Sequence, residues 1–365
     1  MAYIAGMLAA PLGSKYLLRG NARKMIGFGL SLCCLSIALQ GLAHTLITFY
    51  ILSAFRGFAY TLSTIMPFSV LTSRWFARRK AFATSIIMAG SGLGGMLFAP
   101  LITGLMQAVG WRNTLLLSAV GCWLITVPLC FIIVRDSPES VGLRPYGENQ
   151  QGTTVQETGA YPLDPPERLR RRPLFSLFVF ALFCVMLTGC TIQHIPAFVQ
   201  DIGFTPAFAA TIVSIYSAFN IVAKMLMGVV FDRFGTKAGV LFGMGGSLGC
   251  YCMMLLAYRS PRPAYLVMAA LFYGVSLACQ TLFAPTLTNK LFGSQRYEIL
   301  YGSVLIFTNL GVAISNPFIS TTFDLFDSYV VTWSACLILS ITALVCFFFI
   351  IFRAQKVSLP GNVIK

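Results

Sequence analysis

The sequence predicts an all-α, polytopic membrane protein, and three observations carry that prediction. Eleven apolar stretches are each long enough to cross a bilayer, basic residues cluster on alternate loops between them, and the second half of the chain repeats features of the first. Composition agrees: 57% of the 365 residues are hydrophobic and 10% charged, with a mean hydropathy of +0.79. A soluble domain, which must clothe its core in polar groups, does not reach these values.

A spanning helix needs about 20 mostly apolar residues, because backbone amides left unpaired in hydrocarbon are costly. The stretches run over residues 2–18, 25–43, 47–72, 81–108, 113–134, 174–198, 206–231, 238–257, 263–288, 299–323 and 328–352. Arg19, Arg23 and Lys24 follow the first; Arg74, Arg78, Arg79 and Lys80 follow the third; Arg168, Arg170, Arg171 and Arg172 end the long central loop. Arg233 with Lys237, Lys290 with Arg296, and Arg353 with Lys356 continue the series, while the intervening loops are poorer in basic residues. The positive-inside rule places the richer loops in the cytoplasm. The net charge of +15 is then a topology signal, and no nucleic-acid partner is expected. Met1 leads directly into apolar residues without a basic n-region, so no cleavable signal is expected.

The eleven cysteines all fall in predicted spans, where they read as small packing residues; neither a metal site nor a cofactor is expected. The chain has no Walker A loop, no complete Ser/His/Asp set and no His-rich zinc pattern, so neither ATP-driven transport nor catalysis is expected.

Residues 135–173 interrupt the hydrophobic series with a polar, turn-rich run that reads as a cytoplasmic linker. The expected organisation is a bundle over 1–134, this linker, a second bundle over 174–353 and a cytoplasmic tail over 354–365. The two bundles look like copies. Gly13, Leu17 and Gly20 close the first span with the spacing of Gly228, Asp232 and Gly235 after the seventh, and Gly94 precedes Pro100 by six residues as Gly311 precedes Pro317. Repeated halves with matching Gly/Pro interruptions point to a transporter whose substrate site lies between them near mid-membrane.

These residues carry a family resemblance. Gly228, Asp232, Gly235 and Lys237 resemble the signature loop of the major facilitator superfamily. Arg74 to Arg79, Ala89 to Gly95, Gly110 to Arg112, and Ser137 to Glu148 resemble its monocarboxylate and oxalate/formate branch, as do Leu291 to Gly293 with Tyr301 and Gly302. The resemblance covers essentially the whole chain and implies two six-helix bundles, a monomer, and a bacterial inner membrane or plasma membrane. Registered on that pattern, the chain holds family helices 2–6 and 7–12. The expectation is then that family helix 1, and the part of the binding site it lines, is missing.

Charged groups inside spans are expensive and call for a reason. Tyr216, Asn220 and Lys224 recur every four residues and form one polar stripe on an apolar helix. Lys224 lies eight residues before Asp232, about 12 Å along the helix, which approaches the middle of a core about 30 Å thick. The resemblance implies that this cation binds the substrate carboxylate; the alternative is a lysine snorkelling to the headgroups. Arg56, also near mid-depth, resembles an intramembrane arginine that faces the cavity in many family members, with a structural arginine bonded to helix carbonyls as the alternative. His194 is a candidate for proton coupling or, alternatively, an interfacial histidine. Gln280, Tyr273 and Asn309 are further cavity candidates. By resemblance, Asp232, Arg233, Gly235 and Lys237 form a gating loop. The first-half copy has Leu17 in place of Asp232, so the halves are expected to gate unequally.

The sequence thus leads to a secondary transporter, not an enzyme, that moves a small organic anion. A monocarboxylate is favoured because no second intramembrane lysine matches the oxalate branch. Alternating access, with protons as symported ion or with anion exchange, is the expected mechanism. Efflux of lipophilic compounds and a non-transporting fragment or sensor are the competing readings.

Overall fold

The computed structural model describes residues 2–17, 22–147, 173–293 and 297–357. Arg19, Arg168, Arg170, Arg171, Arg172, Arg296, most of the linker and the tail beyond Val357 lie outside the described residues, as do the side chains of Pro100 and Lys356. Among the described residues, twelve α-helices follow one another: α1 (Ala2–Leu17), α2 (Ala22–Gly41), α3 (Leu46–Ser63), α4 (Ile65–Trp75), α5 (Lys80–Ile133), α6 (Pro173–Leu187), α7 (Thr191–Asp201), α8 (Pro206–Arg233), α9 (Gly235–Arg259), α10 (Pro263–Phe292), α11 (Tyr297–Phe326) and α12 (Tyr329–Val357).

Among the described residues, nine helical stretches are long and apolar enough to span a membrane. They correspond to nine of the eleven expected spans. The first expected span is a shorter apolar helix, Ala2–Ser14. The fourth is the first arm of α5, which continues into the fifth through a kink at Gly110 (φ 78°, ψ 162°), a conformation that glycine adopts without a Cβ clash.

Two spans are broken where hydropathy alone reads them as continuous. Between α3 and α4, Pro67 has no N–H for the carbonyl four residues back, and its ring crowds that carbonyl; the chain leaves helical geometry at Thr64 (φ −117°, ψ −113°). Between α6 and α7 the chain turns at Thr188–Cys190. The freed Cys190 amide donates to Ser315 Oγ at 2.8 Å, as an amide away from water must. Starts are signalled locally: Thr45 and Thr205 accept from Thr48 N and Phe208 N, and Pro206 opens α8 where its missing N–H costs nothing.

The chain forms two compact units. One is drawn from residues 1–80, 94–156 and 294–310, the other from 81–93, 157–293 and 311–365. In the first, the segment after α5 is strapped across the end of α4. Tyr146 N donates to Trp75 O at 2.8 Å, Ala77 N to Tyr146 O at 3.0 Å, and Trp75 Nε1 to Arg135 O at 3.2 Å. In the second, Phe198, Tyr251, Tyr329 and Trp333 form a buried aromatic cluster, with Tyr329 stacked on Trp333 at 5.3 Å. Helices in lipid gain little from apolar burial and associate through close packing instead, and α9 approaches α10 accordingly: a Cβ on Gly246 or Gly249 would lie 2.5 Å from Val275 Cβ or 2.8 Å from Phe272 Cγ. All eleven cysteines are free thiols.

Candidate functional site

The polar stripe of α8 meets three different surroundings. Tyr216 is buried and sets its ring edge-on to Tyr273 of α10, centroids 5.3 Å apart. Asn220 is half-buried and its Oδ1 accepts no hydrogen bond. Here α10 presses close to α8: a Cβ on Gly274 would stand 3.1 Å from Asn220 N and Tyr216 O. Lys224 is only 2% exposed, and its ammonium is turned onto α5. It donates to Met88 O at 3.0 Å and Ser91 Oγ at 2.9 Å, and the Ser91 hydroxyl donates in turn to Met88 O at 2.7 Å. Both acceptors are neutral, and no carboxylate pairs with this ammonium among the described residues. A buried cation without a counter-charge is an expensive arrangement.

Lys224 is one rung of a longer seam between α8 and the start of α5, all within the second unit. Asp232 accepts from Ala81 N at 3.3 Å and Phe82 N at 2.8 Å. These first-turn amides have no acceptor inside their own helix, and a carboxylate complements the positive end of the helix dipole. Lys290, in the last turn of α10, brings its Nζ to 3.9 Å from Asp232 Oδ1. One turn along, a Cβ on Gly228 would fall against Ser85 and 2.9 Å from Phe82 Cα, so the backbones themselves are in contact. Lys224 follows, and then Ile221, whose Cγ1 would be 2.7 Å from a Cβ on Gly92. Descending α8 in steps of three or four residues climbs α5 by similar steps, which is how two antiparallel helices hold a single register.

The first unit contains a comparable seam between α1 and the start of α11. Arg74, in the last turn of α4, donates through Nε at 2.8 Å and Nη2 at 2.6 Å to Glu298 Oε1 in the first turn of α11. Its Nη2 also donates to Leu17 O at 2.8 Å. A Cβ on Gly302 would be 2.8 Å from Ser14 Cβ, and one on Gly6 would be 3.5 Å from Asn309 Nδ2.

The remaining candidates are dispersed. Arg56 is exposed on α3 and has no ion-pair partner among the described residues. Gln280 is half-buried with an unpartnered Nε2. His194 Nε2 lies 3.1 Å from Asn316 Oδ1. Arg233 and Lys237 are exposed, and Gly235 makes the α8–α9 turn at φ 82°. Met88, Ser91, Glu298 and Asn316 were not singled out by the sequence. Each acquires its part through a partner more than a hundred residues away, and a single sequence carries no signal for that pairing. No cluster suited to a metal occurs among the described residues.

Known proteins agree with this architecture. The family model described as Major Facilitator Superfamily matches residues 1–212 and 194–362. The chain is 25% identical over 354 residues to monocarboxylate transporter 12 of Rattus norvegicus, covering 90% of this chain and 72% of that protein. It is 24% identical over 324 residues to monocarboxylate transporter 13 of Bos taurus, covering 88% and 71%. Among solved structures, a proton:xylose symporter superposes with a TM-score of 0.73 at 16% identity, over 97% of this chain and 84% of that one. The fucose:proton symporter of E. coli superposes with a TM-score of 0.69 at 15% identity, over 96% and 89%. The family match over nearly the whole chain, the apolar helices and the shared fold lead to one conclusion: this chain belongs to the major facilitator superfamily and is a multi-pass membrane transporter.

Proposed function

We propose that this transporter moves a small monocarboxylate across the membrane by alternating access, and that Lys224 supplies the charge that receives the carboxylate. The observation that carries this reading is the state of Lys224: buried, cationic by residue type, and bonded only to the neutral oxygens of Met88 and Ser91. An ammonium in low dielectric that lacks a counter-ion gains from an anion brought to it. Its three donors, two of which now serve the oxygens of Met88 and Ser91, can turn to an incoming carboxylate. Relatives named monocarboxylate transporters support the choice of anion. Asn220, Tyr216, Gln280, Arg56 and Asn309 are carried forward as further candidates for substrate contact, and the Asp232 loop is proposed to gate the cytoplasmic end. Coupling is to a proton, with His194 as the candidate carrier, or to a counter-transported anion.

Uptake of radiolabelled lactate into proteoliposomes tests the proposal. Lys224→Gln keeps a hydrogen-bonding side chain, one bond shorter, but removes the charge, and it is expected to lower uptake by roughly a hundredfold, the scale of a lost buried charge pairing of about 3 kcal/mol. Lactate uptake unaffected by Lys224→Gln overturns the assignment and leaves a site that recognises lipophilic compounds as the better reading.

A further inference from the structure

The candidate anion site and the candidate gate share one helix pair. Asp232, Gly228, Lys224 and Ile221 line the face of α8 that meets Ala81, Phe82, Ser85, Met88, Ser91 and Gly92 of α5. Lys224 therefore has two demands on it. Its ammonium closes the seam by donating to Met88 O and Ser91 Oγ, and the reading given above also asks it to bind substrate. The Ser91 hydroxyl proton is already committed to Met88 O, so Ser91 meets the ammonium purely as an acceptor, as a carboxylate oxygen would. At 2% exposure Lys224 has no room for an anion beside these two acceptors while the seam is closed.

We infer that Met88 O and Ser91 Oγ are internal stand-ins for the substrate carboxylate, so that an anion binding Lys224 removes the middle rung of the α5/α8 seam and thereby loosens the Gly228 and Asp232 contacts one and two turns away. The inference rests on Lys224 being the anion-binding group. It adds a positioning residue, Ser91, and a direct physical coupling between occupancy and gating. A ligand shifts a conformational equilibrium only by its difference in affinity for the two states, and here the difference is built in: the closed seam occupies the cation, whereas the open one offers it. The resting seam also prevents a buried bare charge, since the stand-ins solvate the ammonium whenever substrate is absent.

The coupling has a readout apart from flux. Ala81 N and Phe82 N are held by the Asp232 carboxylate and by nothing inside their own helix, so their hydrogen exchange reports the seam. In the full chain in nanodiscs, saturating lactate is expected to speed exchange of a peptide containing residues 81–82 at least threefold. Ser91→Ala removes one stand-in. It is expected to tighten lactate binding about tenfold, the scale of one hydrogen bond to a charged group, and to raise basal exchange at 81–82, while Ser91→Thr restores both. In Lys224→Gln, lactate is expected to leave exchange at 81–82 unchanged.

The outcomes separate the two claims. Lactate binding that survives Lys224→Gln removes the anion-site reading and this inference with it. Binding that is lost in Lys224→Gln, with Ser91→Ala leaving affinity at the wild-type value and lactate leaving exchange at 81–82 unchanged, keeps the anion site and overturns the coupling alone. Ser91→Ala protein is checked for its melting temperature first. If that variant does not fold, the wild-type exchange response to lactate decides the inference by itself.

Discussion

Along α8, the face that meets α5 carries Ile221, Lys224, Gly228 and Asp232; along α1, Ala10 and Ser14 meet Gly302 of α11, and Leu17 follows at the end of α1, where its carbonyl accepts from Arg74 of α4. In both, a small residue on the partner or on the helix itself brings the backbones close: Gly228 against Phe82 in one case, Gly302 against Ser14 in the other. Both end at the first turn of a helix where a carboxylate and a cation meet. The chemistry differs. In the α5/α8 seam the carboxylate comes from the loop side, Asp232, and receives the amides of α5. In the α1/α11 seam Leu17 stands at the corresponding place and offers only its carbonyl, while the acid is Glu298, on the capped helix itself. Four residues before the shared glycine, one helix has Lys224 and the other Ala9. A repeated scaffold can thus preserve its packing while its charges are reassigned: among the described residues, the ammonium of Lys224 in the α5/α8 seam meets neutral oxygens, whereas Arg74 in the α1/α11 seam is paired with Glu298.

Variants in the two seams test that contrast. The largest effects belong to the glycines. Gly228→Val drives a side chain into the Phe82 backbone and is expected to cut lactate uptake at least fiftyfold. Gly302→Val meets Ser14 Cβ and Oγ at 2.8 Å, of which only Oγ can rotate away, and is expected to lose about tenfold. Equal losses would mean that the two seams are closed equally tightly, contrary to the geometry.

Removing the acids comes next. Asp232→Asn abolishes the charge that complements the α5 N-terminus, a contribution of about 1–2 kcal/mol in a partly buried setting, and a roughly tenfold drop in uptake is expected. Glu298→Gln leaves Arg74 its bonds to Leu17 O and Asp136 O, so its cost is expected to appear as a lower melting temperature of the purified protein with uptake within threefold of wild type. A larger transport defect in Glu298→Gln than in Asp232→Asn would reverse the assignment of the gating seam. The smallest effect is expected for Lys290→Ala: its 3.9 Å approach to Asp232 is at the edge of ion-pair range, and without it the Asp232 carboxylate keeps the Ala81 and Phe82 amides. Uptake within twofold of wild type, measured at low and at high salt, is the expected result.

Much of this architecture was legible in the sequence because its causes are local. Apolar length sets the spans, the breaks at Gly110 and before Pro206 are single-residue effects, and Lys224 is conspicuous as a charge where charge is costly. What was missed is non-local or hidden by averaging. The interruptions at Thr64 and at Thr188–Cys190 disappear in hydropathy, since helix and turn there are equally apolar. Ser91 reads as one small residue in a glycine run, and only the antiparallel register with α8 brings it to Lys224, 133 residues away in sequence. Glu298 sits at the edge of a span, where an acid looks like an ordinary loop residue; Arg74, 224 residues earlier, gives it a partner. Leu17, taken alone, suggested a weakened contact, and the acid that meets Arg74 came from a different helix.

The register of the α5/α8 seam also bears on chain length. Each added residue turns a helix by about 100° and advances it about 1.5 Å. One residue inserted between Lys224 and Asp232 would leave either the lysine or the aspartate facing away from α5, whatever its identity. The seven residues that separate them in the sequence are therefore constrained in number more than in kind: homologous chains should tolerate many substitutions between these positions and no insertions or deletions.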